Sequence, residues 1–363
     1  VTGAVGRPGW GRQAVPVGAL PGALGEGALV GDGSTARRVP PLDPQVGAAV
    51  AAAVAAAGER ARQVLTPEGL TAWQERDAAA RPRPTLDRLR DGGRFEVAEV
   101  RVPRADGCGD VTLVSARPAG VREELPLLYY VHGGGMVTGN AWSVLPRLLR
   151  AWALPLGLAV VSVEYRLAPR TRFPGAVEDC YAGLAWATGH AGVLGVDARR
   201  VVVGGKSAGG GLAAALALLA RDRGAPAPVG QLLLSPMLDD RGDTFSSHQM
   251  AGHDTWDRTS GATAWQAVLG SRYGAADLSP YAAPARATDL SRLPAAYVDV
   301  GSAETLRDEA VAYADAIWQA GGEAELHVWP GACHGFDTLA PDAALTRDAH
   351  DARTRWLRRV LGR

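Results

Sequence analysis

Apolar residues along this chain follow two spacings, and the two alternate. Phe95 to Val102 and Val111 to Ala116 place apolar side chains at every second position, as half-buried antiparallel strands do. Leu125 to Val131, Ala159 to Val163, Val201 to Val203, Gln231 to Leu234, Ala296 to Val300 and Glu325 to Val328 read as further strands. The middle ones are nearly continuous in apolar residues, the pattern of parallel strands covered on both faces. Between them lie helical segments: Pro146 to Leu154, Val177 to Thr188, Leu212 to Arg223 and Leu306 to Ala320. A last helix, Ala344 to Leu361, carries Leu345, Ala349, Ala352, Trp356 and Val360 near helical spacing. Such alternation predicts an α/β sandwich with right-handed crossovers.

Two stretches depart from this rhythm. Ahead of the sheet, residues 43–90 are predicted as helices, one over the alanine-rich run Val46 to Val64 and another over Pro67 to Leu89. Residues 239–277 interrupt the alternation after a strand, and Trp256 to Trp265 within them looks like an inserted helix. An insertion at the carboxyl edge of an open sheet overlies the crevice where ligands bind, so both stretches are expected to form a two-piece cap. Residues 1–42 are rich in Gly, Pro, Ala and Val without a stable period and are expected to be a disordered tail. The expected organisation is therefore tail 1–42, cap helices 43–90, and a main domain 91–363 with its insertion at about 239–277. No internal repeat is present.

Composition narrows the function. The 363 residues balance 38 basic against 38 acidic side chains. No basic stripe of the kind nucleic acid requires is present, so that partner is set aside. Cys108, Cys180 and Cys333 are an odd number at wide spacing without a C-x-x-C pair. They suit free thiols in a reducing compartment better than a disulfide framework or a zinc site. No apolar run approaches a membrane span, and no basic region with a compact apolar core opens the chain. A soluble, cytoplasmic protein without a metal site is expected.

The stretch Gly205-Lys206-Ser207-Ala208-Gly209 carries the chemistry. It follows the β-branched run Val201-Val202-Val203 and leads into the helical run from Leu212, the context a nucleophile elbow needs. Glycines flank a turn too sharp for side chains and leave the serine exposed at the strand's tip. A bare G-x-S-x-G is a weak signal among 46 glycines. His132-Gly133-Gly134-Gly135 strengthens it, because this loop follows the strand Leu125 to Val131 as an oxyanion-binding loop should. The expected donors are the backbone N–H groups of Gly134, Gly135 and Ala208, although an ordinary turn would also hold these glycines.

Acyl transfer further needs a base and a group to orient it. His334, in Cys333-His334-Gly335-Phe336 after the last strand, is the expected base in the chain order serine, acid, histidine. His132 belongs to the glycine loop, His190 ends a helix, His327 lies in a strand, His350 is on the last helix, and His248 and His253 fall in the insertion. Glu304 stands at the exit of the strand Ala296 to Val300 and is the expected orienting acid. Asp308 and Glu309 lie a turn further on and are expected to cap or solvate their helix. Cys333 beside His334 is expected to be a small buried residue.

With these residues in hand, the chain resembles the hormone-sensitive-lipase family of α/β-hydrolases, in its bacterial short-chain carboxylesterase branch. The likeness rests on His132 to Gly135, Tyr165-Arg166-Leu167-Ala168-Pro169, Phe173-Pro174, Glu178-Asp179, Gly205 to Gly210, Leu306-Arg307-Asp308-Glu309 and His334-Gly335-Phe336, in the family's order. It implies an α/β-hydrolase fold, a mostly parallel eight-stranded sheet flanked by helices and carrying a helical cap. It also implies a cofactor-free carboxylesterase using Ser207, Glu304 and His334 on a small-molecule ester, with a short acyl pocket and a lean toward a homodimer. Two departures stand out. Glu304-Thr305-Leu306 replaces the family's Asp-Pro-Leu, and Lys206 stands where the family often has aspartate.

Other readings share these residues. An amidase, lactonase or acyltransferase would use the same triad. A non-catalytic small-molecule receptor is a further alternative, since plant gibberellin receptors resemble this family and have lost the histidine. Met136, Val137, Trp142, Met250 and Trp256 are candidate pocket residues, and all five suit core packing as well. Lys206, the only lysine, is expected to point to solvent behind the elbow, the alternative being an ammonium near the imidazole.

Overall fold

Every residue of Leu125-Pro126-Leu127-Leu128-Tyr129-Tyr130-Val131 is buried, because this strand lies inside the sheet with helices against both faces. Alternate side chains go to opposite sides. Leu127, Tyr129 and Val131 join a core with Val177 and Leu184 of the helix Gly175–Gly189 and Leu212 and Leu216 of the helix Ala208–Arg223. Leu128 and Tyr130 join a second core with Leu145, Leu148 and Trp152, and with Trp356 and Leu357 of the helix Ala344–Val360. Each fully buried leucine of these layers contributes about 1.5–3 kcal/mol relative to exposure.

The computed structural model describes residues 38–58, 64–104, 106–224 and 227–362. Among them one sheet is formed by β1 (Phe95–Pro103), β2 (Asp110–Pro118), β3 (Leu125–Val131), β4 (Ala159–Glu164), β5 (Val196–Lys206), β6 (Gly230–Leu234), β7 (Ala295–Gly301) and β8 (Ala324–Trp329). The order is β1-β2-β4-β3-β5-β6-β7-β8. β2 is antiparallel to both neighbours, and the remaining pairs are parallel. Because β3, β5, β7 and β8 run the same way, the segments that follow them leave at one edge. Those segments carry His132, Ser207, Glu304 and His334. This is the mostly parallel, helix-flanked sheet expected above.

Several boundaries differ from expectation for local reasons. β5 begins five residues before Val201, where Asp197, Arg199 and Arg200 hide it from a hydrophobicity reading. The segment 67–89 is two helices, Leu70–Ala80 and Leu86–Arg90, because Pro82 and Pro84 lack the N–H that a continuous helix would use. The first helix spans Pro44–Ala57, capped by the Asp43 carboxylate, which accepts from the backbone N–H groups of Gln45 and Val46. The end of the expected run, residues 59–63, lies outside the described residues, as do residues 1–37 of the expected tail. Residues 38–42 are not a free end. Gln249 donates to the Arg38 carbonyl at 2.6 Å, and Leu42 packs beside Val46, Val50 and Phe336.

Between β6 and β7 lie the helices Phe245–Gln249 and Arg258–Leu269. The N-terminal segment meets this insertion directly. The Leu65 N–H donates to Ser260 Oγ at 3.3 Å, and Thr263 Oγ1 donates to the Leu65 carbonyl at 2.9 Å. Among the described residues no helix is long and apolar enough to cross a membrane.

Candidate active site

Ser207 directly follows β5 in a backbone conformation that L-residues rarely take, with φ 58° and ψ −124°. Such a residue costs on the order of 1–3 kcal/mol and persists where the surroundings hold it. Here the Ser207 N–H donates to the Leu234 carbonyl at 2.8 Å, and its carbonyl accepts from Gly211 and Met237, both at 3.0 Å. The neighbouring glycines are required by close approach. A Cβ at Gly205 would lie 2.2 Å from the Gly209 carbonyl oxygen, and one at Gly209 would lie 2.1 Å from that of Val131.

The hydroxyl this turn presents meets His334, whose Nε2 is 3.0 Å from Ser207 Oγ. Nδ1 of the same ring is 2.6 Å from Glu304 Oε1. The other carboxylate oxygen of Glu304 accepts from Ser235 Oγ at 3.0 Å and from the Gly301 N–H at 2.9 Å. Glu304 is fully buried and so held by three donors. Burial by itself would lower the His334 pKa, but the charge and hydrogen bond of Glu304 together with the charge of Asp254 outweigh it and the pKa is raised. This line can draw the hydroxyl proton onto the imidazole and stabilise the imidazolium that results.

Asp308 and Glu309 stand elsewhere. Asp308 accepts from the Ser246 N–H at 2.7 Å and pairs with Arg307. Glu309 does not solvate its helix as expected. It is buried and accepts from the Leu238 N–H at 2.7 Å, and burial pushes its carboxyl well above the usual range. The helix packs that face against the segment after β6, which the sequence spacing does not reveal.

The glycine loop lies alongside the serine. A Cβ at Gly133 would be 3.4 Å from the Ser207 Cβ, and Gly134 and Gly135 both have positive φ, 118° and 63°. Among the described residues, the N–H groups of Gly134, Gly135 and Ala208 have no protein acceptor. His132 is structural. Its ring stacks on Tyr165 at 4.2 Å, its carbonyl accepts from the Tyr165 hydroxyl at 2.9 Å, and burial lowers its pKa to about 4.

A cavity of about 300 Å³ opens onto Ser207 and His334. Its walls come from Trp73, Asp77, Ala80 and Arg81 of the N-terminal segment, Thr255 and Trp256 of the insertion, and Tyr130, Arg147, Lys206, Thr338 and Leu339 of the main domain. Gln74 fixes the first wall by donating to the carbonyls of Val137 and Ala168 at 2.8 and 2.9 Å. Asp77 accepts from the Gly139 N–H at 3.0 Å. Of the five candidate pocket residues, Trp256 lines this cavity, with its ring against Gly135. Met136 borders a separate small void, and Val137, Trp142 and Met250 are buried off the cavity wall. Trp142 packs in the core behind that wall, its Nε1 donating to Glu99 at 2.6 Å under the Arg83 guanidinium. A large apolar side chain reads alike in core and pocket, so sequence alone does not separate them.

Lys206 corrects the expectation of a solvent-facing side chain. It is half-buried, forms an ion pair with Asp337 and donates to Thr338 Oγ1 at 3.0 Å. Burial lowers its pKa, and Asp337 offsets part of that. Burial would raise the Asp337 carboxyl, but Arg147, Lys206 and Arg353 hold it well below the usual range. Asp254, unmarked by any motif, is a second buried carboxylate at the site. It accepts from the His334 N–H at 3.1 Å, the Thr255 N–H at 2.7 Å and the Thr305 N–H at 2.7 Å. Burial, reinforced by Glu304, raises its pKa to about 6. Adjacency to His334 could have drawn attention to Asp337; no local signal marks Asp254.

A serine on a strand-to-helix elbow, a histidine after the last strand and a carboxylate after the strand between them define an α/β-hydrolase. The family described as alpha/beta hydrolase fold matches residues 128–338, and the chain belongs to that family, in its hormone-sensitive-lipase group. Carboxylesterase NlhH of Mycobacterium tuberculosis is 36% identical over 244 residues, 67% of this chain and 76% of that protein. Human hormone-sensitive lipase is 37% identical over 120 residues, 33% of this chain and 11% of that protein. The solved structure of a bacterial heroin esterase is similar with a TM-score of 0.75 at 36% identity, covering 88% of this chain and 98% of its own.

Proposed function

We propose that this carboxylic ester hydrolase is a serine esterase of short-chain acyl esters, with Ser207 as nucleophile, His334 as general base and Glu304 as the orienting acid. The observation that carries the reading is the unbroken line from Ser207 Oγ through His334 to Glu304, at 3.0 and 2.6 Å. His334 takes the hydroxyl proton at Nε2 as Oγ attacks the ester carbonyl. Glu304, held by Ser235 and Gly301, keeps Nδ1 protonated and balances the imidazolium. The tetrahedral oxyanion is received by the N–H groups of Gly134, Gly135 and Ala208, whose lack of protein acceptors supports that role. His334 then protonates the departing alcohol, and the same residues activate water to release the acid.

The N-terminal segment and the 239–277 insertion act as a two-piece cap. Support comes from their contacts at Leu65 and from Trp73, Arg81 and Trp256 in the cavity wall. A cavity of about 300 Å³ lies at the small end for ligand pockets, which favours short acyl chains. His334 in hydrogen-bonding reach of Ser207 favours catalysis over a receptor role. The test is hydrolysis of p-nitrophenyl acetate and butyrate, with mass spectrometry after treatment with an organophosphonate. Turnover and a single added phosphonyl group are expected for the wild type and neither for Ser207→Ala; undiminished turnover in the variant refutes the assignment.

A further inference from the structure

The cavity wall beside the serine is cationic in a way that neutral ester hydrolysis does not require. Lys206 and Arg147 both line the cavity and both pair with Asp337. Arg353 shares that carboxylate at 2.7 Å and also holds Asp299 at 2.6 Å, so three cations divide two carboxylates. Arg353, Asp299 and Asp337 are all sealed from solvent, whereas the Arg147 side chain is 40% exposed and that of Lys206 18%. The surplus positive charge therefore faces the cavity. The other charged pair on its wall, Arg81 with Asp77 at 3.1 Å, is neutral in sum.

A second observation is independent of charge. The Tyr130 side chain, 3% exposed, also lines the cavity, and among the described residues its hydroxyl has no hydrogen-bond partner. The hydroxyl is reached from the cavity rather than sealed in the core, so it is open to a ligand atom, to which it can donate or from which it can accept. The Arg147 guanidinium uses two of its N–H donors, on Thr338 Oγ1 at 3.2 Å and Asp337 Oδ2 at 3.1 Å. A guanidinium carries five, and a planar fork of this kind matches a carboxylate.

We propose that Arg147, Lys206 and the Tyr130 hydroxyl form a subsite for a carboxylate carried by the ester itself, which makes short anionic esters the substrate class of this enzyme. The inference rests on the esterase reading above and adds the charge of the substrate to it. The uncleaved carboxylate is held by Arg147 and Tyr130, beside the Lys206 ammonium, while the ester carbonyl sits at Ser207. Hydrolysis proceeds as already described, with no new bond to this second group.

The experiment measures kcat/KM by acid release for three esters of similar size. Monoethyl glutarate carries a carboxylate on the acyl side, butyryloxyacetate carries one on the alcohol side, and ethyl butyrate is neutral. The wild type is expected to prefer one of the two anionic esters over ethyl butyrate by roughly 10- to 100-fold, the effect of a hydrogen bond to a charged group. The arm that wins shows on which side of the ester the subsite lies. Arg147→Gln and Tyr130→Phe should each narrow the preference ratio; the second removes only one oxygen and serves if the first loses its fold. A wild type that turns over ethyl butyrate at least as well as both anionic esters overturns the inference while leaving the esterase intact. So does a preference that neither variant narrows. Failure to hydrolyse any of the three defeats the esterase reading and the inference with it.

Discussion

Glu304→Gln discriminates most sharply among the roles assigned here, because the structure dictates how the amide must sit. Oε2 of Glu304 accepts from Gly301 N–H and Ser235 Oγ, and Oε1 faces His334 Nδ1. If the glutamine oxygen stays with Gly301 and Ser235, its NH₂ group points at Nδ1. His334 must then accept there and carry its proton on Nε2, the tautomer that cannot take the serine proton. If the amide flips, Nδ1 keeps its acceptor, but the buried Gly301 N–H is left facing a donor. That costs about 1–3 kcal/mol, so the flipped form is a minority of roughly a sixth or less. Together with the lost negative charge beside the imidazolium, this predicts a fall in kcat of roughly 10²–10⁴ with the fold retained. The pH profile supplies a second readout. Burial lowers the His334 pKa and Glu304 raises it, so removing the carboxylate charge leaves burial dominant. Only neutral imidazole accepts the proton, so the acid limb of kcat/KM should move to lower pH in the variant. Asp308→Asn is the control, since Asp308 serves Ser246 and Arg307 and has no contact with His334. p-Nitrophenyl butyrate hydrolysis across pH, with circular dichroism to verify folding, measures both variants. A larger loss in Asp308→Asn than in Glu304→Gln, or an unmoved acid limb in Glu304→Gln, refutes the argument.

Asp254→Asn should lower kcat/KM by roughly ten-fold or more, because an amide cannot accept from His334, Thr255 and Thr305 together and one buried N–H is left unpaired, at about 1–3 kcal/mol. Single-turnover acylation is the readout, and a wild-type rate in the folded variant would show that the insertion does not position His334. Lys206→Met removes a positive charge that disfavours imidazolium, so the acid limb should shift to higher pH, opposite to Glu304→Gln. An unchanged limb in the methionine variant would mean that Asp337 screens the ammonium from His334.

The strands, and the placement of Ser207, Glu304 and His334 just after three of them, are legible in the chain because their determinants are local. A β-branched run, a glycine-flanked turn and an alanine-rich helix specify the elbow around Ser207 within some twenty residues. Parallel strands then bring Glu304 and His334 to the same edge as Ser207, although the histidine is 127 residues away from the serine. The prolines at 82 and 84 were also visible, and they set the break that the helical pattern of 67–89 conceals.

What the chain alone leaves open is decided by contacts between segments distant in sequence. Lys206 turns inward because Asp337, 131 residues later, packs beside it and offsets part of the cost of burying its charge. Asp254 joins the site because the insertion folds back onto the loops after β7 and β8, a register that no periodicity encodes. Trp256 and Trp142 are alike as sequence, yet one lines the cavity and the other supports a surface carboxylate. Hydrophobic and turn patterns report which residues leave water and where the backbone bends, and those choices are made within a few positions. Which buried groups meet, and which of them remain without a partner facing a cavity, depends on the packing of whole layers, and only the tertiary structure decides it.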